Sequence, residues 1–93
     1  MYEPQFRPVV MNSQERRQLV QKAKADRLAF EAAEFLSRGD TATATTLAGE
    51  SRTLAGQEQS EHWLRRYATA KFKMTNGAVD QFLGSMPPAN VAV

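Results

Sequence analysis

Residues 28–40 read LAFEAAEFLSRGD, and this stretch decides the fold class. Its large apolar side chains, Leu28, Phe35 and Leu36 among them, recur at the spacing of one helix face and do not alternate as they would in a strand. The pattern stops at Gly39, and a glycine directly after the last periodic residue is a common helix end. The stretch therefore predicts a long amphipathic helix that ends at a glycine, with a second helix folding back against it.

The start of this helix is indicated upstream, at residues 12–15 (NSQE). Asn12 is a favourable N-cap, and Glu15 stands three residues later, at the spacing of a capping box. We therefore expect the first helix to span residues 13–38, which at 1.5 Å per residue is about 39 Å.

A second helix is expected at residues 41–55, with Asp40 as its N-cap. Its threonines and Gly49 make it weak by intrinsic propensity, so it should be helical because it packs on the first helix. Gly56 predicts a break, but the sequence leaves open whether the second and third helices are separate or form one bent helix. Small side chains at helical spacing would allow the first two helices to approach closely: Ala44, Ala48, Ser51 and Ala55.

Two further helices are expected, a third at residues 57–74 and a short fourth at residues 78–83. The residues between them, Thr75-Asn76-Gly77, read as a stop signal. The third helix holds most of the aromatic side chains, which at helical spacing are expected in the core: Trp63, Tyr67 and Phe72. If Trp63 is exposed instead, it becomes the leading interface anchor.

These helices predict an all-α fold, a small helical hairpin or bundle of three main helices plus a short C-terminal helix, at residues 13–84. Residues 1–12 read as an extended N-terminal arm because Pro4 and Pro8 exclude an ordinary helix there. Residues 85–93 read as a proline-containing C-terminal tail. Both segments are richer in apolar side chains than a disordered tail normally is. We expect them to pack either on the chain's own helices or on a partner.

Size and composition narrow the class of protein. A chain of 93 residues forms one domain at most. It contains no cysteine, which excludes disulfides, thiolate metal sites and cysteine nucleophiles. No apolar run approaches the roughly 20 residues of a membrane span, and the first residues lack the order of a signal peptide. We therefore expect no membrane association and a place in the cytoplasm or in a particle assembled inside the cell.

Charge is distributed in blocks along the chain, although the net charge is only +2. Residues 1–30 carry six basic and three acidic groups, residues 31–61 carry two and six, and residues 62–93 carry four and one. Alternating blocks suit helices or subunits that pair in a fixed orientation. A chain built to coat nucleic acid would be more one-sided.

Candidate catalytic and metal-binding residues are few. His62 is the sole histidine, and Glu58 and Glu61 lie near it in sequence, with Glu58 one turn earlier on the same helix face. A general base or a metal ligand needs partners that this pattern does not supply. Glu31 and Glu34 stand four residues from Arg27 and Arg38 respectively, a spacing that favours ordinary ion pairs. We expect no enzymatic activity, no cofactor, no metal and no small-molecule substrate.

The leading functional prediction is a non-enzymatic protein–protein interaction or structural protein. It would act as a small subunit, adaptor or inhibitor in a larger assembly, such as a virus particle or a secretion machine, and homo-oligomers are possible. Arg16 and Arg17 lie at the positive end of a helix dipole, which suggests an external anion or acidic surface there. The candidate partner-binding residues are Tyr2, Phe6, Val9, Val10, Arg16, Arg17 and Trp63.

The alternative prediction is a small nucleic-acid-binding or transcription-modulating protein. It rests on a basic cluster that no acidic residue interrupts between His62 and Gly77. The cluster consists of Arg65, Arg66, Lys71 and Lys73.

Overall fold

The computed structural model describes residues 12–87, and this part of the chain is entirely helical between its turns. The elements are α1 (Ser13–Ser37), α2 (Thr41–Ala55), α3 (Gln57–Arg66), a π-helical segment (Tyr67–Lys71) and α4 (Asn76–Ser85). The predicted all-α bundle is therefore confirmed for residues 12–87. The predictions for the arm at 1–11 and for the tail beyond Pro87 lie outside the described residues.

The α1–α2 turn forms as the sequence predicts. Gly39 adopts a left-handed backbone with φ of 85°, which a glycine reaches without a steric penalty. The amide of Asp40 donates to the carbonyl of Phe35 and the amide of Gly39 to that of Leu36, at 3.0 Å each. This pair of bonds is a Schellman motif, and it satisfies carbonyls that the helix end would leave unpaired.

Side-chain caps begin the first two helices. The Asn12 side chain accepts from the amide of Glu15 at 2.7 Å, and the Asp40 side chain accepts from the amide of Thr43 at 3.1 Å. The Glu15 carboxylate meets the Asn12 side chain at 3.5 Å, whereas a full capping box would bring it to the Asn12 backbone amide. The bond to Thr43 also lowers the pKa of Asp40, because it stabilises the ionised carboxylate.

Small side chains allow α1 and α2 to pack closely. Ala25, Ala29, Ala32 and Ala33 on α1 are fully buried, as are Ala44 and Ala48 on α2. The predicted small-residue face of α2 is therefore confirmed for Ala44, Ala48 and Ser51, whereas Ala55 is only partly buried. Larger apolar side chains complete the core, one from the end of α1 and the others from α3, α4 and the residue that follows α4: Leu36, Leu64, Val79, Phe82 and Met86.

Gly56 separates α2 from α3. Its φ of 91° is a left-handed value, its amide closes α2 on the carbonyl of Arg52 at 2.8 Å, and its carbonyl accepts from Ser60 in the first turn of α3. The second and third helices are thus two helices, which answers the question that the sequence left open.

The predicted third helix at 57–74 is α-helical only to Arg66 and ends at Lys71, three residues earlier than predicted. The chain widens into the π-helical segment, and Phe72 donates to the carbonyl of Tyr67, five residues back. This repeat places Tyr67 and Phe72 on one face, whereas residues five apart on an α-helix face different directions. Both rings consequently reach Phe30 on α1, with centroids 5.1 and 5.5 Å away.

The fourth helix is longer than predicted, since it spans 76–85 and not 78–83. Thr75 acts as its N-cap and accepts from the amide of Ala78 at 3.1 Å. The residues read as a stop signal are therefore also a start signal, because a threonine cap tolerates Asn76 and Gly77 in the first turn.

Candidate interaction surfaces

The first half of α1 has no buried residue. Every residue from Ser13 to Lys24 is exposed, and Ala25 is the first to be buried. We call residues 13–24 the exposed α1 segment. It amounts to about three turns of helix that the rest of the described chain does not cover.

Two large apolar side chains stand on this segment in contact with solvent. Leu19 is 51% exposed and Val20 is 66% exposed. Leu19 forms one wall of a groove of about 580 Å³, and Leu54 and Ala55 at the end of α2 form the other. The rim of this groove is polar and consists of Glu15, Gln18, Gln21 and Lys22.

A second depression lies beside the middle of α1. It measures about 270 Å³ and is lined by Lys24, Leu28, Glu50, Thr53 and Leu54. The two depressions share Leu54, but Leu19 and Leu28 stand nine residues apart and therefore lie on opposite sides of α1. We call the first depression, with Leu19, Leu54 and Ala55 in its lining, the α1–α2 groove. An apolar groove bordered by polar side chains is the kind of surface that receives an amphipathic helix.

Positive charge predominates on the exposed α1 segment, although Arg16 and Arg17 do not line the groove. Residues 12–24 carry four basic side chains and one carboxylate, Glu15. None of the ion pairs formed between Asn12 and Pro87 involves the basic side chains, which are Arg16, Arg17, Lys22 and Lys24. The positive end of the helix dipole adds to this field.

The predicted contact residues divide between described and undescribed parts of the chain. Arg16 and Arg17 are exposed on the exposed α1 segment. Trp63 is half-buried and packs against the core, so only part of its ring is open to a partner. Tyr2, Phe6, Val9 and Val10 lie outside the described residues. Of the described candidates, Arg16 and Arg17 are thus open to solvent on α1, and none of Arg16, Arg17 and Trp63 lines the α1–α2 groove.

The basic cluster on the third helix is partly neutralised by folding. Arg65 pairs with Asp80 of α4 at 2.5 Å, although no acidic residue lies between His62 and Gly77 in the sequence. Arg66, Lys71 and Lys73 are exposed. Sequence reasoning therefore overestimated the free charge of this cluster, because the pairing depends on how α4 packs.

Arg52 is a buried residue that sequence reasoning missed. Its side chain is 3% exposed, and it donates to the Pro87 carbonyl at 2.9 Å and to Glu61 at 2.8 Å. Glu61 also accepts from Gln57 at 3.0 Å. Arg52 thus ties α2 to α3 and to the chain after α4. One signal was available, because Arg52 follows Ala48 by four residues and so lies on the buried face of α2.

Two buried serines link three helices through a chain of hydrogen bonds. Ser60 of α3 donates to the Ser51 hydroxyl at 2.8 Å, and Ser51 of α2 donates to the Ala25 carbonyl of α1 at 2.8 Å. Both side chains are fully buried. Neither has a base as its acceptor, so the arrangement holds the helices together and does not resemble an activated nucleophile.

Tyr67 joins the π-helical segment to α1. Its hydroxyl donates to the Asp26 carboxylate, and this hydrogen bond raises the pKa of Tyr67, with burial and the nearby negative charge adding to the effect. The contact fixes the ring against Phe30.

His62 is exposed beside Glu58 in a shallow depression at the start of α3. Among residues 12–87, no group of three or more His, Asp or Glu side chains is placed to hold a metal ion. None of the helices in this range combines the length and apolar composition needed to cross a lipid bilayer.

Comparison of the chain with family models, with curated proteins and with solved structures found no match. The functional reading therefore rests on the surfaces described above.

Proposed function

We propose that the protein is a non-enzymatic interaction protein, a small subunit, adaptor or inhibitor, which binds a partner protein through the exposed α1 segment and the α1–α2 groove. One observation carries the proposal. Three turns of regular helix stand exposed, with Leu19 and Val20 in solvent.

The energetics of short helices support this reading. Isolated helices shorter than about 12–15 residues are marginal in water, and most helix stability comes from packing an apolar face. The exposed α1 segment has no such packing within the described chain. A partner that covers Leu19 would supply it, and contiguous exposed apolar surface is typical of interaction sites.

The placement of Arg16 and Arg17 supports the same reading. A cation in the first turn of a helix costs about 0.3–1 kcal/mol because it opposes the helix dipole. A partner surface with negative charge would reverse this cost. The arm residues Tyr2, Phe6, Val9 and Val10, with Trp63, remain proposed additional contacts, and membership of a viral or secretion assembly remains a prediction.

Site-specific photo-crosslinking tests the proposal in the cells that make the protein. A photoreactive phenylalanine analogue replaces Leu19 in the groove, and Gln81 on α4, which is exposed and lines none of the grooves described, is the matched control. We expect a discrete protein adduct from position 19 and none from position 81. Absence of an adduct at position 19, or equal adducts at both positions, would contradict the proposal.

A further inference from the structure

We infer that Asn76 is a site of spontaneous chemical modification, at which the backbone of Gly77 converts the asparagine amide into a carboxylate. The N-terminal cap of α4 controls the rate of this reaction. The inference is independent of the proposed function, because it concerns the start of α4 and involves neither the exposed α1 segment nor the α1–α2 groove.

The reaction is favoured where an asparagine is followed by a residue that has no side chain. The attacking atom is the backbone nitrogen of Gly77, and the attacked atom is Cγ of Asn76, so that a small ring closes between neighbouring residues. A Cβ on the second residue would crowd this approach and restrict the backbone, whereas glycine does neither. The chain has three asparagines, Asn12, Asn76 and Asn90, and Asn76 is the one that glycine follows.

The chemistry needs water and no other reagent. In the first step the Gly77 nitrogen loses its proton and bonds to Cγ of Asn76, and the side-chain nitrogen leaves as ammonia, which takes that proton with it. The product is a cyclic imide. In the second step water adds to one of the two ring carbonyls, and the C–N bond at that carbon breaks. Opening at Cγ gives aspartate, and opening at the main-chain carbonyl gives isoaspartate.

The structure leaves both reacting groups accessible. Asn76 and Gly77 are exposed, and the space beside the Gly77 Cα is open. Within residues 12–87, neither the Asn76 side chain nor the Gly77 amide takes part in a hydrogen bond. The amide is free because the first amides of a helix have no acceptor within that helix. Neither group therefore has to give up a hydrogen bond of its own before it reacts.

The helical conformation of the first turn is what slows the reaction. A helical backbone does not align the Gly77 nitrogen with Cγ of Asn76, so this turn must open before the ring can close. The turn is held by Thr75, whose hydroxyl accepts from the Ala78 amide at 3.1 Å and whose carbonyl accepts from the Val79 amide at 3.2 Å. Helix ends open more readily than helix interiors. The strength of the Thr75 cap therefore sets how often Asn76 can react.

Asn12 provides a comparison within the same chain. It stands at the start of α1, but its side chain accepts from the Glu15 amide at 2.7 Å. The residue that follows it, Ser13, has a Cβ. Asn12 is thus protected both by a hydrogen bond of its own side chain and by its neighbour.

The two products change α4 in different ways. Aspartate at position 76 places a negative charge in the first turn, where it interacts favourably with the helix dipole. Isoaspartate lengthens the backbone by one carbon, which displaces the Ala78 amide from the Thr75 hydroxyl. Because α4 also carries Val79 and Phe82 of the core, we expect the isoaspartate form to unfold at a lower urea concentration than the original protein.

The test follows the 93-residue protein over time in native buffer made with water that carries a heavy oxygen isotope. Each new carboxylate then contains one heavy oxygen, and tandem mass spectrometry of tryptic peptides assigns it to a residue. We expect Asn76 to be converted at least about fivefold faster than Asn12, which must first lose its cap bond. Conversion should speed up as the pH rises above neutrality, because the attacking nitrogen must lose its proton.

Two variants test the mechanism. Gly77→Ala should slow conversion several-fold, and it should fold because the space beside Gly77 is open. Thr75→Ala should speed conversion about fivefold, the change in opening that follows the loss of a typical N-cap. Thr46→Ala is the control, since Thr46 is exposed, bonds only within α2 and should leave the rate unchanged. Circular dichroism verifies that all three variants fold.

Three results would overturn the inference. They are conversion at Asn76 no faster than at Asn12, an unchanged rate in Gly77→Ala, and an unchanged rate in Thr75→Ala. None of them would affect the proposed interaction function, because none involves the exposed α1 segment.

Discussion

Replacing Ser51 with alanine should destabilise the protein more than replacing both Ser51 and Ser60. The single change Ser51→Ala removes the acceptor of the Ser60 hydroxyl, which is fully buried at the α2–α3 contact. A buried polar group without a partner costs about 1–3 kcal/mol. We therefore expect Ser51→Ala to lower the free energy of unfolding by about 2 kcal/mol.

The other two variants of this double-mutant cycle, Ser60→Ala and the double variant, should lower the free energy of unfolding by less. Ser60→Ala removes one neutral hydrogen bond but leaves Ser51 bonded to the Ala25 carbonyl, so it should cost about 1 kcal/mol. The double variant leaves no hydroxyl without a partner, and it should also cost about 1 kcal/mol. The sum of the single effects then exceeds the double effect by about 2 kcal/mol, which is the coupling between the two hydroxyls.

Urea denaturation followed by far-UV circular dichroism measures the free energy of unfolding of the original protein, the two single variants and the double variant. The slope of the unfolding free energy against urea should be unchanged, because the helices themselves are retained. Ser37→Ala is the control, since Ser37 is exposed and bonds only within its own turn, and it should change stability by less than about 0.5 kcal/mol. Additive effects of Ser51→Ala and Ser60→Ala would refute the hydrogen-bonded chain across three helices.

Three further predictions concern single residues. Arg52→Ala should lower the free energy of unfolding by about 2–3 kcal/mol in urea denaturation, because it leaves Glu61 without its counter-charge and the Pro87 carbonyl without a donor. This cost is below that of breaking a fully buried ion pair, because Glu61 is partly exposed. Lys73→Gly should raise the thermal midpoint, with a gain of about 0.5 kcal/mol, because Lys73 holds φ at 60°, where glycine is unstrained; a lower midpoint would contradict this. The bond from Thr43 lowers the pKa of Asp40 below its ordinary value of 3.8, so the ionised carboxylate stabilises the folded protein above that pH. This stabilisation is lost as the pH falls through the lower pKa of the folded state. Asp40→Asn keeps the helix cap and should remove this part of the acid sensitivity, which unfolding curves measured at several pH values would show.

The local signals in the sequence are sufficient for much of the α1–α2 hairpin. The Asn12 cap, the Gly39 turn and the Asp40 cap each depend on residues within four positions of one another, so their patterns can be read directly. The small-residue face of α2 can be predicted in the same way, because a spacing of four residues places Ala44 and Ala48 on one side of the helix.

The features that sequence reasoning missed all depend on contacts between elements. The π-helical segment forms where Tyr67 and Phe72 meet Phe30 more than 30 residues away, and no pattern near Tyr67 records that contact. The pairing of Arg65 with Asp80 needs α4 in place. The α1–α2 groove likewise depends on where α2 ends beside α1, although the polar start of α1 hinted that it extends past the core.

Hydrogen–deuterium exchange of the free 93-residue protein tests most directly whether the exposed α1 segment awaits a partner. We predict that amides of residues 17–24 exchange at least about 100-fold faster than those of residues 29–36 at every protein concentration, because the first group lies on unpacked helix and the second in the core. Equal protection of the two groups in the free protein would contradict the central proposal, because the segment would already be covered by this chain or by another copy of it.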